Sequence, residues 1–186
     1  IIEQNRSSLL NTMNLIIEYT NIQRNNYEFT PEEINITDII DDLQKEISAI
    51  TEARGIEFAY GKISSSLKFI SDKHKFQVLL SLIVKVITKL SKEKKLYLSV
   101  YQYGSDEFVV VLKDSYSEIT STLFENMVSL FQNDSTETIK NLGISKLNAQ
   151  LVKSLLELLS GRFIITEEEK NRNECGFVFP LKHVIV

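Results

Sequence analysis

The sequence predicts an α+β fold, a two-layer sandwich with helices on one face of a mixed β-sheet and a further helix in front of it. Three observations carry this. Helical stripes and alternating strand segments run in the order helix, then α-β-β-α-β-β-α-α-β-β, with more strands than simple βαβ crossovers supply. Residues 73–90 are apolar nearly all round, as in a helix buried on more than one side. The run Phe108-Val109-Val110-Val111-Leu112 is β-branched and aromatic and stops abruptly at Lys113-Asp114, the pattern of a buried strand with a polar turn behind it.

Residues 1–24 have a helical stripe of Ile2, Leu9, Met13, Ile16 and Thr20, widened by Leu10 and Ile17. Such a stripe packs either against a helix of a second copy or back onto the chain's own domain. Asn25-Asn26-Tyr27-Glu28-Phe29-Thr30-Pro31 is a break with turn chemistry and marks the domain boundary. Thr37, with Asp38 and Asp41 behind it, signals a helix start. That helix carries Ile39, Ile40, Leu43, Ile47 and Ile50 to Arg54, where Gly55 stops it. Strands are expected at residues 56–60 and 67–70.

Ser71 and Asp72 introduce the helix of residues 73–90. Lys85 sits in the middle of it, where an unpaired buried ammonium is costly, so it either snorkels to a surface or faces a polar cleft. Strands at 95–103 and 108–113 are joined by the turn Gly104-Ser105-Asp106. Asp114, at the end of the second, is placed either to accept hydrogen bonds from a ligand or to cap the helix that follows. That helix covers about residues 122–131, the polar stretch 132–141 reads as a mobile loop, and 144–159 is the last helix, with Leu147, Leu151, Leu155 and Leu158 along one side. Strands at 163–166 and 176–181 close the chain as a hairpin.

Composition narrows the function. Of 186 residues 43% are hydrophobic and 25% charged, with mean hydropathy −0.06, as in a soluble globular domain. No apolar run reaches the about 18 residues that would span a bilayer. A net charge of −4 and a pI near 5.3 argue against nucleic-acid binding. The single Cys175 rules out an internal disulfide, and with only two histidines a thiolate-rich metal site is not expected. The expected location is cytoplasmic, alone or as the cytoplasmic part of a longer membrane-anchored protein, because the chain opens on Ile1 in mid-helix.

Taken together the segments resemble the C-terminal region of sensor histidine kinases. Leu15-Ile16-Ile17-Glu18-Tyr19-Thr20-Asn21-Ile22 is similar to the end of the second dimerisation helix, and Phe29-Thr30-Pro31 with Ile36-Thr37-Asp38-Ile39-Ile40 to the start of the ATP-binding domain. Ser71-Asp72-Lys73-His74-Lys75-Phe76-Gln77-Val78-Leu79-Leu80-Ser81-Leu82 resembles the segment leading into the family's asparagine-bearing helix. Phe124-Glu125 stands where the family has a phenylalanine box. Leu155-Leu156-Glu157-Leu158-Leu159-Ser160-Gly161-Arg162-Phe163 and Gly176-Phe177-Val178-Phe179-Pro180-Leu181 are similar to its terminal helix and hairpin. The resemblance implies a Bergerat-type (GHKL, HATPase) fold. Residues 1–26 would be the second helix of a dimerisation and phosphotransfer hairpin, and 27–186 the histidine-kinase-like ATPase domain.

The same resemblance implies a degenerate nucleotide pocket. Ser81 and Lys85 stand at the family's helix asparagines, and Lys85 replaces the one that ligates magnesium. Lysine offers only donors, whereas magnesium needs oxygen ligands. In the first glycine box, Asp114-Ser115-Tyr116-Ser117-Glu118 keeps the adenine-recognising Asp114 but has Tyr116 and Glu118 in place of both glycines. Gly143-Ile144-Ser145-Lys146 keeps one glycine of the second box, with Lys146 beside it. His74 and His183 lack the context of the phosphoacceptor, so an acceptor helix is expected upstream of Ile1 or not at all.

Three functions follow from this. One is a pseudokinase in two-component signalling that binds no cofactor, forms a homodimer or heterodimer through residues 1–24, and docks a response regulator or a partner kinase. Another is a divergent active kinase that binds ATP through Asp114, with Lys85 and Lys146 standing in for magnesium. The third is a small-molecule sensor built on the remodelled nucleotide cleft.

Overall fold

In the computed structural model the described residues are 2–115, 119–132, 136–168 and 172–182. They form α1 (Ile2–Gln23), β1 (Pro31–Asn35), α2 (Ile36–Ala53), β2 (Glu57–Ile63), β3 (Lys68–Asp72), α3 (Lys73–Leu90), β4 (Lys95–Tyr103) and β5 (Glu107–Lys113). After these come α4 (Ser121–Phe131), α5 (Thr136–Asn141), α6 (Lys146–Leu158), β6 (Arg162–Glu168) and β7 (Arg172–Pro180). The expected α+β class holds. Five strands form one sheet in the order β2-β4-β5-β7-β6, mixed because β2 and β4 run parallel and the other pairs antiparallel.

The opening run of valines is the centre of this sheet. Phe108, Val110 and Leu112 alternate toward the helical layer, while Val109 and Val111 face the other side with Val178. A strand buried on both faces must be apolar at every position, which explains the unbroken run. On the helical side α3 lies between α2 and α6. Its Phe76 meets Phe69 and Phe179 at ring-centroid distances of 4.8 and 5.1 Å, and Phe108 meets Phe69 at 4.6 Å. These tilted and edge-on contacts fasten the middle helix to the sheet.

Asp72 caps α3, as its position before the helix predicts. Its Oδ1 accepts from Lys75 N at 3.0 Å, and Oδ2 accepts from Thr30 N at 3.0 Å and from Lys75 Nζ at 3.3 Å. Lys75 Nζ also donates to Glu28 O at 2.7 Å, so this buried pair ties the linker after α1 to the start of α3.

Several expectations change. The helix-start signal at Thr37 is displaced: α2 begins at Ile36 after Asn35, with no side-chain cap. The helix-start amide is met instead by tertiary structure, since Ile36 N donates to Leu67 O at 3.1 Å. No element is expected between the break at Pro31 and the helix start at Thr37, yet β1 fills that stretch, starting on Pro31. A proline is tolerated at the first residue of a strand, and β1 pairs only with β3 in a separate two-stranded sheet. The polar stretch expected to be a loop contains α5, whose Ile139 is buried in the core.

Helix α1 is two-sided. Ile22 is buried and Leu15 and Tyr19 pack against the core, next to α6, where Gln23 Nε2 donates to Ser154 Oγ at 3.3 Å. The predicted stripe is the other face: Leu10, Met13, Ile16 and Ile17 are 47–54% exposed. At about 100° per residue the two sets occupy separate arcs of the helix. The helix thus folds onto its own domain with one face and leaves the expected packing face uncovered. Among the described residues no helix is long and apolar enough to cross a membrane.

Candidate functional site

Ser81 and Lys85 are one turn apart on α3 and project from the same face. That face looks away from the sheet, toward α2. There Glu46 Oε1 accepts from Ser81 Oγ at 2.6 Å and from Lys85 Nζ at 2.7 Å. Burial works against ionisation of Glu46, but the hydrogen bonds from Lys85 and Ser81 and the lysine charge outweigh it, so its carboxyl titrates below the usual range. Of the two readings of Lys85, the polar cleft is the one realised.

The cleft has a volume of about 590 Å³ and lies between α1, α2 and α3. Its polar wall includes Asn14 and Glu18 from α1, Asp42 and Glu46 from α2, and Gln77 from α3, with Leu15, Leu43 and Val78 between them. Gln77 Nε2 donates to Asp42 Oδ2 at 2.9 Å. His74 also lines this space, at the first turn of α3.

Asp114 is elsewhere. At 3% exposure it follows β5 directly, and its carboxylate accepts three hydrogen bonds. Oδ1 accepts from Thr120 N at 2.8 Å, and Oδ2 accepts from Thr120 Oγ1 at 2.7 Å and Ser91 Oγ at 3.2 Å. Thr120 is itself the N-cap of α4. Asp114 therefore anchors the start of that helix through its cap residue.

Gly143, at φ +66, ends α5: its N–H donates to Lys140 O and that of Ile144 to Ile139 O, both at 3.1 Å. Lys146 is the exposed first residue of α6. Phe124 is half-buried against the core from α4, and Glu125 is exposed. Tyr116, Ser117, Glu118 and His183 lie outside the described residues. Of the six candidate positions, Ser81 and Lys85 share the cleft, while Asp114, Gly143 and Lys146 do not line it.

Sequence reasoning missed Glu46, Asp42 and Glu18. The one available signal was energetic: a lysine on an apolar helix calls for an acidic partner. Spacing alone does not say which of the chain's acids supplies it. Among the described residues no group of three or more His, Cys, Asp or Glu is placed to hold a metal ion, and the ammonium at position 85 has no lone pair to offer one.

No family model and no curated protein matches the chain. Solved structures do. The chain superposes on the histidine kinase AdeS of Acinetobacter baumannii with TM-score 0.65 at 10% identity, covering 96% of this chain and 81% of that one. The nucleotide-free catalytic domain of histidine kinase ThkA matches at TM-score 0.56 and 17% identity, covering 84% of this chain and 97% of that one. The fold is that of a histidine-kinase ATPase domain. Full-length ShkA, in complex with AMPPNP, matches at TM-score 0.65 and 14% identity, over 98% of this chain and 38% of that one. Identities this low speak for the fold alone.

Proposed function

We propose that this chain is a degenerate histidine-kinase module, a pseudokinase of two-component signalling, with residues 1–26 as a dimerisation helix and 27–186 as the ATPase-like domain. It acts by pairing with a second copy or a partner kinase through α1 and by docking a response regulator. The observation that carries the reading is the Lys85–Glu46 pair with Ser81 on the same oxygen. It fills with an internal ion pair the positions where the family resemblance expects the helix asparagines, with Lys85 at the one that ligates magnesium. Phosphoryl transfer depends on positioning and metal electrostatics, and with that set replaced little catalysis is left. The engagement of Asp114 by Ser91 and Thr120 supports the same reading, because a carboxylate so occupied has less to offer adenine.

Calorimetric titration with ATP, with and without Mg²⁺, tests the proposal. The expected result is no saturable heat up to millimolar nucleotide. Micromolar binding that disappears in a folded Asp114→Asn variant would overturn it in favour of a divergent active kinase. Metal-independent binding lost in Lys85→Ala would do the same through the lysine.

A further inference from the structure

Residues 24–30 join α1 to β1, and the sequence marks them as a break. In the structure they are fastened at both ends. Helix α1 stops at Asn25, which has φ +52, and the amides of Asn25 and Asn26 donate back to Ile22 O and Asn21 O at 3.0 and 2.9 Å. That pair of bonds closes a helix in one fixed geometry. At the far end Thr30 N donates to Asp72 Oδ2 at 3.0 Å, and Pro31 is already opposite Asp72 in the β1–β3 pair. Between them Glu28 O accepts from Lys75 Nζ at 2.7 Å, and Phe29 packs against the core. A hinge needs neighbouring residues free to absorb large φ/ψ changes, and these fixed points leave no run of them.

The inner part of this fastening is a buried pair. The side chains of Lys75 and Asp72 are 11% and 7% exposed, and their charged atoms are 3.3 Å apart. A buried ammonium is costly unless its protons are taken up, and here one goes to Asp72 and one to the linker carbonyl of Glu28. Asp72 in turn serves both sides. Its Oδ1 caps α3 through Lys75 N, and its Oδ2 takes Thr30 N and Lys75 Nζ. If the linker lifted away, the ammonium would lose one acceptor and the carboxylate one donor, both in a buried place. The helix adds its own hold through Leu15, Tyr19 and Ile22, and through Gln23 Nε2 on Ser154 Oγ.

We propose that α1 and the domain behind it move as one rigid body, with the Asp72–Lys75 pair as the clasp that locks the linker. The outward arc of Leu10, Met13, Ile16 and Ile17 then presents the domain at one fixed angle to whatever pairs with it. This rests on the reading of α1 as the pairing helix. A module built this way imposes a set geometry on its partner, whereas one that swung its domain about the helix would not.

The experiment is a spin-label distance measurement on the full chain, with Met13→Cys on the outward arc, Lys89→Cys at the exposed end of α3, and the buried Cys175 replaced by alanine. Labelled chain is diluted in unlabelled chain, so that only distances within one molecule are read. The expected result is a single narrow distance. Asp72→Asn keeps the cap of α3, because asparagine caps as well as aspartate, but turns a donor toward Thr30 N and the Lys75 ammonium. In that variant the share of molecules at other distances rises about tenfold. Thr120→Ala weakens the fold away from the clasp and leaves the distance narrow. A broad or two-peaked distribution in the parent overturns the proposal. So does a folded Asp72→Asn as narrow as the parent, or a Thr120→Ala that broadens as much as Asp72→Asn. No nucleotide or partner enters these readouts, so micromolar ATP binding would overturn the pseudokinase reading and leave the clasp standing, and a broad parent distribution would do the reverse.

Discussion

Lys85 Nζ lies 2.7 Å from Glu46 Oε1, bridging α3 and α2 on the outer side of the helical layer. The two ends of this contact are unequal. Lys85 without its acid can still turn toward solvent, because its side chain is partly exposed. Ser81 cannot do so, being 2% exposed with Glu46 as its acceptor. Glu46→Ala therefore costs about 2 kcal/mol, chiefly the unsatisfied buried hydroxyl and the orphaned charge. Lys85→Ala costs about 1 kcal/mol or less, the range of a half-exposed ion pair. Urea unfolding of both variants checks the order, and a larger loss from Lys85→Ala would contradict it.

Acid should weaken the fold through the same kind of group. For Asp72, burial raises the carboxyl and the Lys75 and Thr30 amides with the Lys75 ammonium lower it by more, so it titrates below its ordinary value, as Glu46 does. A folded-state value below the unfolded one adds stability that is fully present above the unfolded value and lost as pH falls through the folded one. Stability is thus flat from neutral pH down to about 5 and declines below about 4. Each such group contributes at most about 1.4 kcal/mol per pH unit, less for the half-exposed Glu46. Asp72→Asn should flatten the acid limb in pH-dependent urea melts. An unchanged slope would show that Asp72 is not the group responsible.

Asp114 gives a prediction that separates structural from ligand roles. Its carboxylate is buried and accepts from Thr120 N, Thr120 Oγ1 and Ser91 Oγ. Asp114→Ala leaves those donors unmet and releases the start of α4, at a cost of about 2–3 kcal/mol. Thr120→Ala removes one of the bonds and the N-cap, costing about 1 kcal/mol. Thermal melts of the two variants in nucleotide-free buffer test this, and a neutral Asp114→Ala would sink the anchoring role.

Much of this architecture was legible because its signals are local. Asp72 before an apolar helix, Gly55 after α2 and the unbroken valine run of β5 each state their own environment. What escaped depends on contacts distant in sequence. Strand β1 starts on Pro31 and exists only through its pairing with β3, such as Ile34 opposite Phe69. Glu46 is one acid among several on α2, and only the packing of α3 beside it supplies Ser81 and Lys85. In α1 the periodicity of Leu10, Met13 and Ile17 was visible, but not that Leu15, Tyr19 and Ile22 would be the face turned inward. Two apolar arcs on one helix leave the choice of face to tertiary packing.

That second arc is the basis of the last prediction. Leu10, Met13, Ile16 and Ile17 are about half exposed on one side of α1, while the opposite side is held against the domain. Scattered exposed apolar residues are ordinary, but four on one arc of a helix form a contiguous patch of the kind that pairs helices. The substitutions Leu10→Glu and Ile17→Glu together place like charges at the centre of any pairing with a second copy. Both side chains are half exposed, so the domain's Tm should change little, by no more than the effect of exposed substitutions. The expected outcome is a chain that self-associates as the parent and is monomeric as the double variant, read by light scattering across a concentration series. A parent that stays monomeric throughout that series would remove self-pairing and leave a partner kinase as the remaining occupant of this face. A double variant that associates as the parent does would place the contact away from α1.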